Sequence, residues 1–203
     1  MSENNSATAA EGAGTTQAET TSEATLSIDW IRDFATQWID ACNSHEVDRL
    51  LALMSEDIEY RDDAWPKPMR GHADVREFLE ASWRAFPDIT FELLSGPYVI
   101  PGEPRAALHW RGRATHTGPL DPAGFAPTGR RWEQDGVDLH EYRDGRVCKL
   151  RITVDVLSIS RQLGLMPAAG SRAERALAMA HRSASRVQQE IRKRQEIRKR
   201  RGG

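Results

Sequence analysis

The chain has 203 residues, a formal net charge of −2 at pH 7 and a hydrophobic fraction of 39 %, which fits one domain with tails. Its two cysteines, Cys42 and Cys148, are too few for a disulfide framework and lack metal-ligand spacing. No apolar run reaches the roughly 20 residues of a transmembrane helix, and no secretory signal is recognisable, so we expect a cytoplasmic protein.

Charge and composition divide the chain into three parts. Residues 1–25 carry a charge of −4 and no Trp, Phe, Tyr, Leu, Ile or Val, which predicts a disordered tail. Residues 26–167 contain all six Trp and all five Phe, enough to form a core. Residues 168–203 are predicted to form a basic helix and tail, and residues 171–203 carry a charge of +8. With −4 on the N-terminal tail and a net charge of −2, the central part carries −6.

Helices dominate the first half of the central part. Apolar residues at helical spacing predict one helix over about 28–43 and a shorter one over about 47–54. Residues 57–62 alternate like a strand and lead into a proline-rich loop. A third helix then runs between Gly71 and Pro87.

Strands dominate the second half. Alternating, β-branched and aromatic residues predict strands over about 89–94, 105–117, 132–142 and 147–156. Asp144-Gly145 predicts a type I′ hairpin turn between the last two strands, and residues 157–165 read as a short closing helix. Helices followed by a run of strands indicate an α+β fold with a mostly antiparallel sheet covered by helices on one face.

The last long strand has an apolar face and a polar face. The apolar face carries Cys148, Leu150, Ile152 and Val154, and the other carries Val147, Lys149, Arg151, Thr153 and Asp155. Either the apolar face packs on the helices and leaves Asp155 outside, or it forms a contact between subunits and leaves Asp155 in a cavity. Periodicity alone does not choose between the two.

Four short segments resemble SnoaL-like polyketide cyclases. They are PDITF at 87–91, ATHTGPL at 114–120, PTGRR at 127–131 and DGRV at 144–147, followed by Asp155. That family belongs to the nuclear transport factor two-like superfamily, together with ketosteroid isomerase and limonene epoxide hydrolase. The resemblance covers about residues 30–167 and implies a cone-shaped α+β barrel, in which N-terminal helices close a strongly curved sheet around an apolar pocket.

The resemblance also implies a chemistry and a subunit contact. Asp155 matches the position of the family's acid–base aspartate, which lies on the strand face that lines the pocket. The outer face of the sheet would then be the contact between the two subunits of a homodimer. Asp155 would catalyse an aldol-type ring closure of a small, hydrophobic, carbonyl-bearing polyketide, without metal or cofactor. An isomerase or an epoxide hydrolase is the nearest alternative, and it needs a second acid such as Asp62 or Asp138.

One departure from the family bears on Asp155. Arg151 replaces the tryptophan that the family has four residues before the aspartate, and a guanidinium there would lower the carboxyl pKa or hold a substrate oxyanion. The strand aspartate of epoxide hydrolases would fall at Ile152, so their Asp–Arg–Asp triad is absent. The predicted substrate-binding residues are Arg151, His140, Asp138, His116, Trp110, Tyr60 and Trp65.

The basic C-terminal helix offers a different kind of function. Leu177, Ala180, Ala184, Val187 and Ile191 follow heptad spacing over residues 171–200. A solvated helix explains this pattern, and so does a helix that docks on a partner subunit or touches an anionic surface. The alternative function is therefore a non-catalytic module that binds a hydrophobic ligand or assembles a complex, with nucleic-acid binding a distant third possibility.

Overall fold

The computed structural model describes residues 27–201, with residue 190 and residues 193–201 described by their backbone alone. The helices are α1 (Ile28–Ser44), α2 (Val47–Leu51), α3 (Gly71–Ala85), α4 (Val156–Gln162) and α5 (Arg172–Arg201). The strands are β1 (Met54–Asp62), β2 (Met69–Arg70), β3 (Thr90–Val99), β4 (Arg105–Thr115), β5 (Arg131–Arg143) and β6 (Arg146–Val154). The tail predicted for residues 1–25 lies outside the described residues.

The six strands form one curved, open sheet in the order β2-β1-β6-β5-β4-β3. Every neighbouring pair is antiparallel except β1 and β6, which run parallel. The α+β class and the mostly antiparallel sheet predicted from the sequence are confirmed. The parallel pair places the end of β1 beside the middle of β6, where Asp62 is opposite Ile152.

Helix α1 covers the inner face of the sheet because its sequence gives it a single buried stripe. Ser27 caps the first turn by accepting a hydrogen bond from the Trp30 backbone N–H. Ile31, Phe34, Ala35, Trp38 and Ala41 are then buried on one side. The stripe packs into the same core as β1, α3 and the inner residues of β4, β5 and β6.

The hairpin of β5 and β6 forms the centre of the sheet. Its turn has positive φ at both Asp144 (52°) and Gly145 (73°), as a type I′ turn requires. The register that follows pairs Asp138 with Ile152 and Gly136 with Val154. Each pair lies on one face of the sheet, so the carboxylate of Asp138 and the apolar end of β6 point to the same side.

Helix α5 leaves the body soon after it begins. Glu174 accepts a hydrogen bond from Arg161 at 2.9 Å, and the described side chains from Arg175 to Arg192 are exposed, apart from the half-buried Ser185. Within the part of the chain that the structure describes, no helix is both long and apolar enough to cross a membrane.

Candidate functional site

A cavity of about 400 Å³ lies between the inner face of the sheet and the elements that cover it. Aromatic rings dominate its wall, since five of the six tryptophans and four of the five phenylalanines line it. They are Trp38, Trp65, Trp83, Trp110, Trp132, Phe78, Phe86, Phe91 and Phe125. Such a wall fits a flat, largely apolar ligand that a few polar groups orient.

Three carboxyl groups interrupt this apolar wall: those of Asp62, Asp121 and Asp138. Asp121 lies in the loop between β4 and β5 and pairs with the partly exposed Arg84 at 3.3 Å. Among the described residues, no Lys or Arg forms an ion pair with Asp62 or Asp138. The described side chains also contain no group of three or more His, Cys, Asp or Glu arranged to hold a metal ion.

Asp138 is a buried acceptor held by two indoles. Its side chain comes from the middle of β5 and the residue is only 3 % exposed. Trp110 Nε1 donates to Asp138 Oδ1 at 2.6 Å, and Trp38 Nε1 donates to Oδ2 at 3.1 Å. Two donors from two different elements therefore fix the orientation of this carboxyl group.

A histidine and a tyrosine extend this polar group into the core. His140 Nε2 lies 3.6 Å from Asp138 Oδ2, and His140 Nδ1 lies 3.1 Å from the Tyr142 hydroxyl. The His140 ring also contacts the Trp38 ring edge-on, at a centroid distance of 4.7 Å. Burial, followed by the negative charge of Asp138, raises the pKa of Tyr142, so its hydroxyl keeps its proton at neutral pH.

Asp62 is a carboxyl group of the cavity wall whose pKa is raised toward neutral pH. It ends β1 and is half-buried, and the Ala64 backbone N–H donates to its Oδ1 at 2.7 Å. Burial raises the pKa of Asp62 to about 6, and the negative charge of Asp138 raises it further, against the lowering effect of the Ala64 N–H. A carboxyl group with this pKa can exchange a proton with a ligand near pH 6.

The orientation expected for the last strand is reversed. Ile152 and Val154 line the cavity, so by strand alternation Thr153 and Asp155 point away from it and are exposed. Asp155 caps helix α4, because its Oδ1 accepts a hydrogen bond from the Ser158 backbone N–H at 2.8 Å. The prediction that the Asp155 carboxylate faces the pocket is therefore wrong.

The other predicted binding residues fall into two groups. Trp110, Tyr60 and Trp65 line the cavity together with Asp138. The side chains of Arg151, His140 and His116 do not line it. Arg151 forms an exposed ion pair with Asp63 at 3.2 Å. His140 lies in the core behind Asp138. His116 is buried and contacts Phe86 and Thr128.

Sequence reasoning named Asp62 only as a second acid for an isomerase or an epoxide hydrolase, although a signal for a larger role exists. Asp62 has the same parity as Ile58 and Tyr60 on a predicted strand, and these two face the core. A carboxylate that continues an inward-facing row is a candidate for a pocket group. Trp38 carries no comparable signal, since an apolar helix stripe alone does not show that its indole donates to a carboxylate.

The outer face of the sheet carries ion pairs around a small apolar centre. Arg111 donates to both carboxylate oxygens of Asp135, at 2.6 and 3.1 Å, and Lys149 donates to Glu141 at 2.9 Å. Leu139 is 46 % exposed on this face. The apolar face of β6 is turned inward instead, and a homodimer through the outer face stays a prediction.

A family model and solved structures match this chain. The model of the SnoaL-like domain matches residues 35–150, which is more than half of the chain. A comparison with curated proteins found no match.

Three solved structures illustrate the likeness in fold. AclR from Streptomyces galilaeus, a proposed hydroxylase, is 23 % identical with a TM-score of 0.60, over 80 % of this chain and 98 % of that chain. A proposed SnoaL-like polyketide cyclase from Jannaschia sp. CCS1 is 16 % identical with a TM-score of 0.59, over 68 % and 94 %. IdmH from Streptomyces antibioticus, a proposed polyketide cyclase, is 23 % identical with a TM-score of 0.54, over 66 % and 97 %.

Proposed function

This chain belongs to the SnoaL-like domain family, and on that premise we propose that it catalyses proton transfer on a flat, carbonyl-bearing, polyketide-like compound, with Asp62 as the acid–base group. The observation that carries the proposal is the placement of Asp62 in the aromatic cavity with a pKa raised to about 6. A carboxylate with this pKa is a stronger base than an exposed aspartate and still ionised at pH 7.

The reaction we propose for this site is an intramolecular aldol closure. The Asp62 carboxylate removes a proton from a carbon between two carbonyl groups, and the electron pair of the C–H bond forms an enolate. The enolate carbon attacks a second carbonyl carbon of the same molecule, so a C–C bond forms and that oxygen becomes an alkoxide. The protonated Asp62 then gives its proton to the alkoxide, which restores the carboxylate.

The cavity wall supports this chemistry in two ways. Its aromatic rings, Trp65 and Trp110 among them, exclude water and hold a flat substrate in place. Asp138 is fixed by the Trp38 and Trp110 indoles, so its negative charge acts on Asp62 from a constant position and contributes to the raised pKa. The base is therefore tuned by residues that need not touch the substrate.

An isomerase is the second candidate, because Asp62 and Asp138 both line the cavity. Isomerisation begins with the same proton abstraction, but the protonated base returns the proton to another carbon of the enolate instead of to an alkoxide. The products distinguish the two reactions, since an isomer keeps an open chain and a shifted double bond, whereas closure forms a new ring.

The first experiment measures proton abstraction directly. Polycyclic 1,3-diketones are incubated with the protein in D₂O, and deuterium uptake at the acidic carbon is followed by mass spectrometry. We expect uptake to rise with pH around pH 6, as Asp62 ionises. Asp62→Asn should lower the rate by roughly 10²-fold to 10⁴-fold, the usual contribution of a general base.

Asp155→Asn is the matched control, since asparagine also caps helices and Asp155 points away from the cavity. We expect this variant to keep the full rate. Loss of exchange in Asp155→Asn together with retained exchange in Asp62→Asn would move catalysis to the other face of β6. Tight binding of the diketones without any exchange in the unmodified protein would instead support a non-catalytic binding module.

A further inference from the structure

Helix α5 has a face that no part of the described body covers. The helix has 30 residues, about 45 Å at 1.5 Å per residue. Leu177 is 52 % exposed, Val187 60 % and Ile191 50 %. An exposed row of this kind is costly in water and typical of a helix that packs against another helix.

The row has the spacing of a coiled-coil seam. Assigning Leu177 to heptad position a places six small or aliphatic residues at successive a and d positions: Ala173, Leu177, Ala180, Ala184, Val187 and Ile191. We refer to these six residues as the seam. The seam ends at Arg194, which takes the next d position.

The positive charges of the helix avoid the seam and the positions beside it. Up to residue 193, all Arg and Lys take positions b, c or f, namely Arg172, Arg175, Arg182, Arg186, Arg192 and Lys193. The flanking e and g positions hold Glu174, Ala176, His181, Ser183, Gln188 and Glu190. Two such helices can therefore approach along the seam without bringing their positive charges together.

We propose that the occupant of this face is the α5 helix of a second copy of this chain, packed antiparallel. In a parallel pair, Arg194 and Arg198 would sit at d and a positions opposite their own copies, and like charges at a seam repel. The antiparallel direction separates the two basic ends. Charge thus favours the antiparallel direction.

One antiparallel register pairs every residue of the seam. Leu177 of one copy lies opposite Val187 of the other, Ala180 opposite Ala184, and Ala173 opposite Ile191, so each a position meets a d position. The pair is symmetric about residue 182, as a two-fold homodimer requires. The alanines at its centre let the two backbones come close, near the lower end of the 8–10 Å range of interaxial distances.

The same register brings the basic end of each helix toward the partner's acidic body. Arg192 of one copy is level with Arg172 of the other, both outside the seam at positions b and c, and the basic residues 193–201 extend beyond it toward the partner's body. That body carries −6, while residues 171–203 carry +8. The seam spans fewer than the three to four heptads of a stable coiled coil, so association should be weak and depend on protein concentration. It should also weaken as salt screens the attraction between the basic tail and the acidic body.

A lipid surface fits the helix less well. Helices that lie in a membrane interface oppose a basic polar face with a large apolar face that typically carries Trp, Phe or Leu. Three of the six seam residues are alanines, and only Leu177, Val187 and Ile191 are large. Such a seam buries little apolar surface in lipid, whereas its alanines allow two helices to approach closely.

The first test is sedimentation velocity of the full chain over a range of concentrations. Leu177→Glu puts a charge into the seam, and the matched control Met179→Glu puts one at a similarly exposed apolar residue (58 %) outside it. We expect Leu177→Glu to raise the dissociation constant of self-association at least tenfold and Met179→Glu to leave it within twofold. Equal responses of the two variants, or a monomer at every concentration, would overturn the proposal. A contact through the sheet would affect both variants alike.

The second test is cysteine cross-linking, which reads the direction of the helices. His181→Cys lies near the symmetry axis of the antiparallel pair and should form covalent dimers with a short bis-maleimide. Ile191→Cys should not, since its two copies lie about 27 Å apart at 1.5 Å per residue. The unmodified chain gives the background from Cys42 and Cys148, which are half-buried and buried. Cross-links at Ile191→Cys alone would show a parallel pair and contradict the proposed direction.

The third test asks whether lipid is the occupant instead. Vesicles of phosphatidylcholine with phosphatidylserine are floated with the full chain and with Leu177→Glu. We expect no flotation that depends on Leu177. Flotation that Leu177→Glu abolishes, in a protein that does not self-associate, would assign the seam to a membrane surface.

Discussion

The two faces of the sheet carry acidic side chains in opposite environments. On the outer face, the Arg111 guanidinium holds the pKa of Asp135 below its usual range, and Lys149 does the same for Glu141. On the inner face, burial raises the pKa of Asp62 to about 6. The inner Asp138 has two indole donors in place of a cation.

The comparison shows that the side of the sheet decides what a carboxyl group does. Asp135 and Asp138 are three residues apart on one strand, so alternation sends them to opposite faces. The outer Asp135 is charged and paired with Arg111, and an exposed ion pair of this kind contributes little to stability. The inner Asp62 is partly withdrawn from water, and burial of this kind shifts a carboxyl pKa toward neutral pH.

The largest expected effect concerns the buried carboxyl group. Asp138→Ala leaves the Trp38 and Trp110 indole N–H groups without their acceptor. Since each unsatisfied buried group costs about 1–3 kcal/mol, we expect a loss of about 2–5 kcal/mol in the free energy of unfolding, measured with urea. Asp135→Ala on the outer face should cost far less, because water replaces its partner. Equal losses would mean that the two faces do not differ.

The next effect tests the position of the indole that binds Asp138. Gly136 leaves room for the Trp110 ring, and a Cβ there would come within 2.4 Å of its ring atoms. We expect Gly136→Ala to destabilise the protein by about 1–3 kcal/mol, as overpacking usually does, and to weaken ligand binding. An unchanged urea midpoint in Gly136→Ala would contradict the close fit.

The pH dependence of stability should have opposite signs on the two faces. The folded-state pKa of Asp62, about 6, lies above the roughly 3.9 of a free aspartate. The folded protein therefore holds this proton more tightly than the unfolded chain, and the contribution of Asp62 to stability falls as pH rises from about 4 to 6. Asp62→Asn should remove this fall. The difference in the free energy of unfolding between the variant and the unmodified protein should therefore shift in favour of the variant by on the order of 1 kcal/mol between pH 4 and pH 7.5.

Asp135→Asn provides the comparison for that measurement. The pKa of Asp135 is lowered in the folded state, so its stabilising contribution is present above about pH 4 and is lost as the pH falls. Urea unfolding of both variants at several pH values measures the two effects. If stability changed with pH in the same direction in both variants, the proposed electrostatic difference between the two faces would be wrong.

The smallest effect concerns Arg151. Its guanidinium pairs with Asp63 at 3.2 Å on the exposed side of β6, so we expect Arg151→Ala to leave the Kd of a cavity ligand unchanged. Trp65→Ala should weaken the same ligand, because Trp65 lines the cavity. Isothermal titration with a polycyclic diketone compares the two variants, and a clear loss of affinity in Arg151→Ala would restore its predicted binding role.

Local sequence signals predicted most of the fold. The stripe of α1, the breaks at Gly71 and Pro87 and the Asp144-Gly145 turn each depend on neighbouring residues, and the structure confirms them. The hydrogen bond between Trp38 and Asp138 joins residues that are 100 positions apart. No local pattern encodes such a contact, because it exists only once α1 has docked on the sheet.

The sequence by itself determined that β6 has two faces and which residues share each of them. Alternation separates Ile152 and Val154 from Asp155 in any fold that makes this segment a strand. Only the tertiary structure decided which face is inside, because that depends on where the helices bury their own apolar stripes. They cover the face of Ile152 and Val154, so Asp155 lies outside. The cavity takes its carboxyl groups from β1, from β5 and from the loop between β4 and β5 instead.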